Sequence, residues 1–127
     1  MQEVMIIDDE EDLRELIETM LVKEGYDVLK AENGENALDI LEDKTPNLIL
    51  LDIHMPGLDG WETLEEMERR GITEDSPVIM FTVEELTFVK MLRKDIEGLV
   101  GYIEKPFERK KLLKIIKEYI EKRKKVF

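Results

Sequence analysis

Short apolar runs alternate along the chain with stripes at helical spacing. Residues 4–7 are an unbroken apolar run, the mark of a strand covered on both faces. Leu13, Leu16, Ile17, Met20 and Leu21 then recur at the spacing of one helix face, and Gly25 ends that segment. Residues 27–31 read as a weaker strand near a sheet edge. Asn33-Gly34 marks a turn, and Ala37, Leu38, Ile40 and Leu41 stripe a second helix. The alternation continues with strand 48–51, helix 61–70 closed by Gly71, strand 77–81, helix 84–94, strand 100–103 and helix 108–125.

Strands that alternate with helices predict an α/β domain built on a parallel sheet. At 127 residues the favoured arrangement is a (βα)5, flavodoxin-like, doubly wound sheet with strand order 2-1-3-4-5. Residues 1–127 read as one domain, with no second domain, linker or repeat.

Composition narrows the function classes. The apolar fraction of 43% supports a packed core, and the absence of cysteine excludes disulfides, thiolate metal sites and a cysteine nucleophile. No apolar run approaches the ~18–20 residues of a membrane span, and an N-terminus that reaches Asp8, Asp9 and Glu10 at once is no secretory signal. A cytoplasmic location is expected. The net charge of −12 argues against nucleic acid as a partner. Residues 105–127 nevertheless carry net +7, against −19 for the rest. Leu112, Leu113, Ile116, Tyr119 and Ile120 stripe that basic segment, so its lysines read as the solvated face of a helix.

In an open parallel sheet, ligands bind beyond the carboxyl ends of the strands, at the topological switch point. Asp8-Asp9 follow the first apolar run, Asp52 the third and Thr82 the fourth, while Lys105-Pro106 stand shortly after the fifth. In the 2-1-3-4-5 order the first and third strands are neighbours, so the three aspartates converge, flanked by a hydroxyl and an ammonium. At ~4 Å and an effective dielectric of about 20, each carboxylate pair repels by about 4 kcal/mol before solvent relieves it. Carboxylate oxygen without histidine or cysteine at ligand spacing suits a hard cation, and Mg²⁺ is the candidate. Asp8, Asp9, Asp52 and Lys105 sum to −2, which one Mg²⁺ neutralises. Lys105 then offers a point charge, and Thr82 a hydrogen bond, to phosphoryl oxygens.

Three segments carry a resemblance: residues 4–10, Val-Met-Ile-Ile-Asp-Asp-Glu; residues 50–60, Leu-Leu-Asp-Ile-His-Met-Pro-Gly-Leu-Asp-Gly; and residues 101–107, Gly-Tyr-Ile-Glu-Lys-Pro-Phe. With Phe81-Thr82, they resemble the receiver domain of two-component response regulators from Glu3 to about Tyr119. The resemblance implies that Asp52 accepts a phosphoryl group from a sensor histidine kinase, a phosphotransfer protein or a small donor. It implies that Asp8, Asp9, Asp52 and the backbone carbonyl of His54 hold Mg²⁺. Lys105 would pair with the phosphoryl group, Thr82 would move to bond it, and Tyr102 would swing inward as the aromatic switch. The Lys105–Pro106 bond would be cis. Switching would repack the face formed by the helix at 84–94, the fifth strand and the last helix, and so change binding to a downstream protein. Such a receiver modifies only itself and is not otherwise an enzyme. It is expected as a monomer, with a dimer as an alternative phosphorylated state, and with no output domain, nucleic acid or membrane partner.

Some positions depart from the family pattern. Val83 stands where a small residue is usual, and its branched side chain is expected to slow transfer from small donors and lengthen the phosphoryl lifetime. His54 reads as a surface loop residue and Trp61 as helix packing, and the methionines as core filler. Leu86, Phe88, Val89, Met91 and Leu92 span an apolar arc of about 220°, more than one core-facing stripe needs, which suggests a partner-binding face. Three competing readings are a Mg²⁺-dependent phosphohydrolase with an aspartyl nucleophile, a flavin carrier and a phosphorylation-independent interaction module. Five consecutive acids at 8–12 disfavour the flavin carrier, because they would repel its phosphate.

Overall fold

The computed structural model of the protein describes residues 2–83 and 96–123. Five parallel strands form a single sheet: β1 (Glu3–Ile7), β2 (Asp27–Ala31), β3 (Leu48–Asp52), β4 (Val78–Thr82) and β5 (Leu99–Glu104). They lie in the order β2-β1-β3-β4-β5, as the alternation predicts. Among the described residues the helices are α1 (Glu11–Lys23), α2 (Gly34–Leu41), α3 (Gly60–Arg69) and α4 (Arg109–Lys122), with a short 3₁₀ turn at Ile72–Glu74. The helix expected over 84–94, with its wide apolar arc, lies outside the described residues. No described helix is long and apolar enough to cross a membrane.

The unbroken apolar runs arise because both faces of the sheet are covered. Met5, Ile7, Ile49, Leu51 and Met80 pack against Ala37, Leu38 and Leu41 of α2 and Leu64 and Met67 of α3. The alternate residues Val4, Ile6, Leu48, Leu50, Ile79 and Phe81 pack against Ile17, Met20 and Leu21 of α1 and Leu112, Ile116 and Tyr119 of α4. The basic stripe at 108–125 is therefore the outer face of a packed helix, as its apolar spacing suggests. Met5, Met20, Met55, Met67 and Met80 are all buried, in keeping with core filler, and Trp61 packs against the same layer as α2 and α3.

Two local features differ from the sequence pattern. The 3₁₀ turn before β4 carries no periodic signal. A register shift between β4 and β5 pairs Val78 with Leu99 but Ile79 with Gly101, leaving Val100 as an extra residue. The extra residue reverses the alternation beyond it, so Tyr102 pairs with Met80 and joins the layer of α2 and α3 rather than that of Phe81.

Candidate functional site

The sheet order places the polar residues beyond adjacent strands. The β1–β3 ladder runs to Ile7↔Leu51, so Asp8 and Asp52 are each one residue further on. The pairing of Asp52 with Phe81 and of Thr82 with Glu104 carries β4 and β5 to the same end. Strands β3, β4 and β5 run one residue past their apolar stretches, because the backbone ladder continues under a polar side chain; the amide of Ile53 still donates to the Phe81 carbonyl at 3.2 Å.

One carboxylate oxygen from each of Asp8, Asp9 and Asp52 lies within 4.8 Å of the others. Asp8 is fully buried and Asp52 nearly so, whereas Asp9 is exposed. Each oxygen of Asp8 has a partner: Oδ1 accepts the Glu10 amide at 2.9 Å and Oδ2 accepts the Lys105 ammonium at 2.9 Å. The ammonium also lies 3.3 Å from Asp52 Oδ1. Its own backbone is anchored, since the Lys105 amide donates to the Thr82 carbonyl at 2.7 Å. Phe81 gives the lysine an aromatic wall, with Nζ 5.6 Å from the ring centroid, and the Phe107 ring is tilted against Phe81 at 5.8 Å between centroids. The Lys105–Pro106 peptide is cis.

The electrostatics follow from burial and crowding. Burial pushes the Asp52 carboxyl up to about 6, Asp8 adds repulsion, and Lys105 opposes both. Burial pulls the Lys105 ammonium down, but the hydrogen bond it donates to Asp8 and the charges of Asp8 and Asp52 outweigh it and hold the group above its ordinary value. Lys105 stays charged at neutral pH, yet one ammonium stands in a cluster of three carboxylates, so negative charge is in excess. Oxygen donors, surplus negative charge and no histidine or cysteine in the cluster fit a small hard divalent cation.

The expected residues separate into groups. Asp8, Asp9, Asp52 and Lys105 come together. Thr82 is buried at the end of β4, and its carbonyl holds Lys105. Tyr102 is buried two residues before the end of β5. His54 is exposed in the loop after β3, while Val83 is 64% exposed directly after buried Thr82.

Two contributors escape a reading confined to strand ends. Arg14, in α1, donates to the Asp8 carbonyl at 2.7 Å. Gly60 opens α3 against the floor of the site: its amide donates to the Ile53 carbonyl at 2.7 Å. A Cβ at Gly60 would stand only 2.5 Å from the Asp52 carbonyl oxygen. Any larger residue would displace the backbone that carries Asp52.

The chain matches the family model described as "Response regulator receiver domain" over residues 4–117. It is similar to solved structures over nearly its whole length. The CheY-like receiver domain protein of Methanospirillum hungatei JF-1 is 27% identical, with 94% of each chain covered and a TM-score of 0.81. The receiver domain of the Francisella response regulator 1452 is 26% identical, covering 98% of this chain and all of that one, with a TM-score of 0.87. TrrA of Thermotoga maritima, solved in complex with Mg²⁺ and BeF, is 32% identical, covering 93% of this chain and 98% of that one, with a TM-score of 0.77. The chain belongs to the receiver domains of two-component response regulators.

Proposed function

We propose that this receiver is phosphorylated on Asp52 by a sensor histidine kinase or phosphotransfer protein and that the phosphoryl group switches its affinity for a downstream protein. One observation carries the reading: the Lys105 ammonium bridges a carboxylate from β1 and one from β3, at 2.9 and 3.3 Å. Such a bridge places a fixed positive charge beside the nucleophile, where the transferred group must come to rest.

An Asp52 oxygen attacks the phosphorus of a phosphohistidine. The new O–P bond forms as the P–N bond breaks, and the released imidazole recovers a proton from water. The product is an acyl phosphate. Asp8, Asp9, Asp52 and the His54 backbone carbonyl are suited to hold Mg²⁺, which when bound neutralises phosphoryl oxygen charge. Lys105, on a flexible stem, passes from the free Asp52 carboxylate to the phosphoryl oxygens and remains tethered to Asp8. The Thr82 hydroxyl donates to the same group, and Tyr102 repacks beside it, carrying the signal toward the face around β5 and α4. Water later hydrolyses the acyl phosphate, so the only reaction catalysed is the protein's own modification.

Intact mass spectrometry tests the reading. Incubation with Mg²⁺ and a small phosphodonor is expected to add one base-labile phosphoryl group, and chelation of the metal to prevent it. An unmodified protein under both conditions overturns the proposal. Val83 supplies a further expectation. Removing its branches in Val83→Ala opens the approach to Asp52, so small-donor labelling and loss of the label both quicken by about two- to fivefold, read by the same method. Unchanged rates refute a gating side chain at 83.

A further inference from the structure

The loop at 53–60 carries His54 and is held at several points. At its far end the Gly60 amide returns to the Ile53 carbonyl at 2.7 Å. Asp59 caps α3: its carboxylate accepts the Glu62 amide, and the Glu62 carboxylate accepts the Asp59 amide, at 2.8 and 3.1 Å. The middle of the loop is held from a different element. Glu35, in the first turn of α2, accepts the Leu58 amide on Oε1 at 3.2 Å. Gly57 adopts φ +74°, and a Cβ there would lie 3.0 and 3.3 Å from the two Glu35 carboxylate oxygens. The loop backbone thus lies directly against the carboxylate, in a conformation that glycine permits.

The turn of α2 that carries Glu35 is itself capped. Asn33 caps α2 by accepting the Asn36 amide at 2.7 Å, and a negative side chain in the first turn suits the helix dipole. The capped start of α2 therefore reaches 23 residues along the chain to contact the loop. We infer that Glu35 is a positioning residue for the phosphoacceptor site. By latching the loop at Gly57-Leu58 it restrains the backbone on which the His54 carbonyl follows Asp52 by two residues. A carbonyl on an unlatched loop must be ordered when the cation binds, and that entropy weakens affinity. The inference rests on the proposed function, because it concerns the same pocket.

The test compares the full chain with Glu35→Ala and Glu35→Gln. Glutamine keeps a carbonyl acceptor for the Leu58 amide but removes the charge; alanine removes both. Glu35 is exposed, so both variants retain the core. In metal-free protein, Leu58 amide exchange measured by NMR is expected to rise about tenfold in the alanine variant and to change less than about twofold in the glutamine variant. Mg²⁺ titrations followed by Trp61 emission are expected to show about three- to fivefold weaker binding for alanine and near wild-type binding for glutamine. A glutamine variant as weak as alanine shows that charge rather than the latch matters, and overturns the inference. Equal Mg²⁺ affinity in wild type and alanine variant overturns the latch while leaving the proposed function standing. A wild type that gives no response to Mg²⁺ overturns both.

Discussion

Asp52→Asn is expected to leave no base-labile phosphoryl adduct after incubation with Mg²⁺ and a small phosphodonor, a loss of at least about 100-fold in labelling. The carboxamide lacks the anionic oxygen that must form the new O–P bond. The neighbouring acids are poor replacements for different reasons. Both oxygens of Asp8 are occupied, one by the Glu10 amide and the other by Lys105. Asp9 is exposed and lies outside the lysine bridge. Intact mass spectrometry reads the outcome directly, and peptide mapping identifies the modified residue. Labelling of the variant at the wild-type level would assign the nucleophile elsewhere and remove Asp52 from the central role.

The same substitution has an opposite effect on the fold, and it depends on pH. Asp52 titrates at about 6 in the folded protein against 3.8 for an ordinary aspartate. The native state therefore favours the protonated carboxyl, and the ionised form opposes folding. This destabilisation is fully present above about pH 6 and disappears as the pH falls through 6 toward 3.8. The carboxyl is buried, so the shift translates to about 2–3 kcal/mol at neutral pH, at 1.36 kcal/mol per pKa unit. In urea denaturation without metal, Asp52→Asn should exceed wild type by about that amount near pH 7.5, and the gap should close near pH 4. Added Mg²⁺ should narrow the gap at neutral pH, because it stabilises the wild type by mass action. A wild type more stable than the variant at neutral pH without metal would mean that the Lys105 contact outweighs burial and the repulsion from Asp8.

The sheet and the convergence of acids were legible because they depend on short-range pattern. Four-residue apolar runs reveal buried strands, the helical stripes supply crossovers, and the strand order brings Asp8 beside Asp52. The details that remained hidden arise from contacts between distant positions. Nothing in the sequence 99–104 signals that Val100 is extra, yet this one residue decides which layer receives Tyr102. Gly60 stands in one of the segments that carry the resemblance, but its approach to the Asp52 carbonyl requires the fold. The Arg14 and Glu35 contacts likewise depend on where a side chain lands rather than on a spacing. The strand boundaries moved by a residue at Asp52 and Thr82, where hydrogen bonding of the main chain outlasts the apolar pattern.

The unequal burial of two consecutive aspartates gives their substitution unequal consequences. Asp8 is enclosed, with its amide on the Ala31 carbonyl at 3.2 Å, its own carbonyl under Arg14 and both side-chain oxygens occupied. Exchanging its side chain strips the Glu10 amide and the Lys105 ammonium of their buried acceptor together. Asp9 faces solvent, so drift there changes the charge at the pocket mouth without loosening the interior. A substitution at the second acid is thus expected to alter the charge at the strand ends, and one at the first to cost stability.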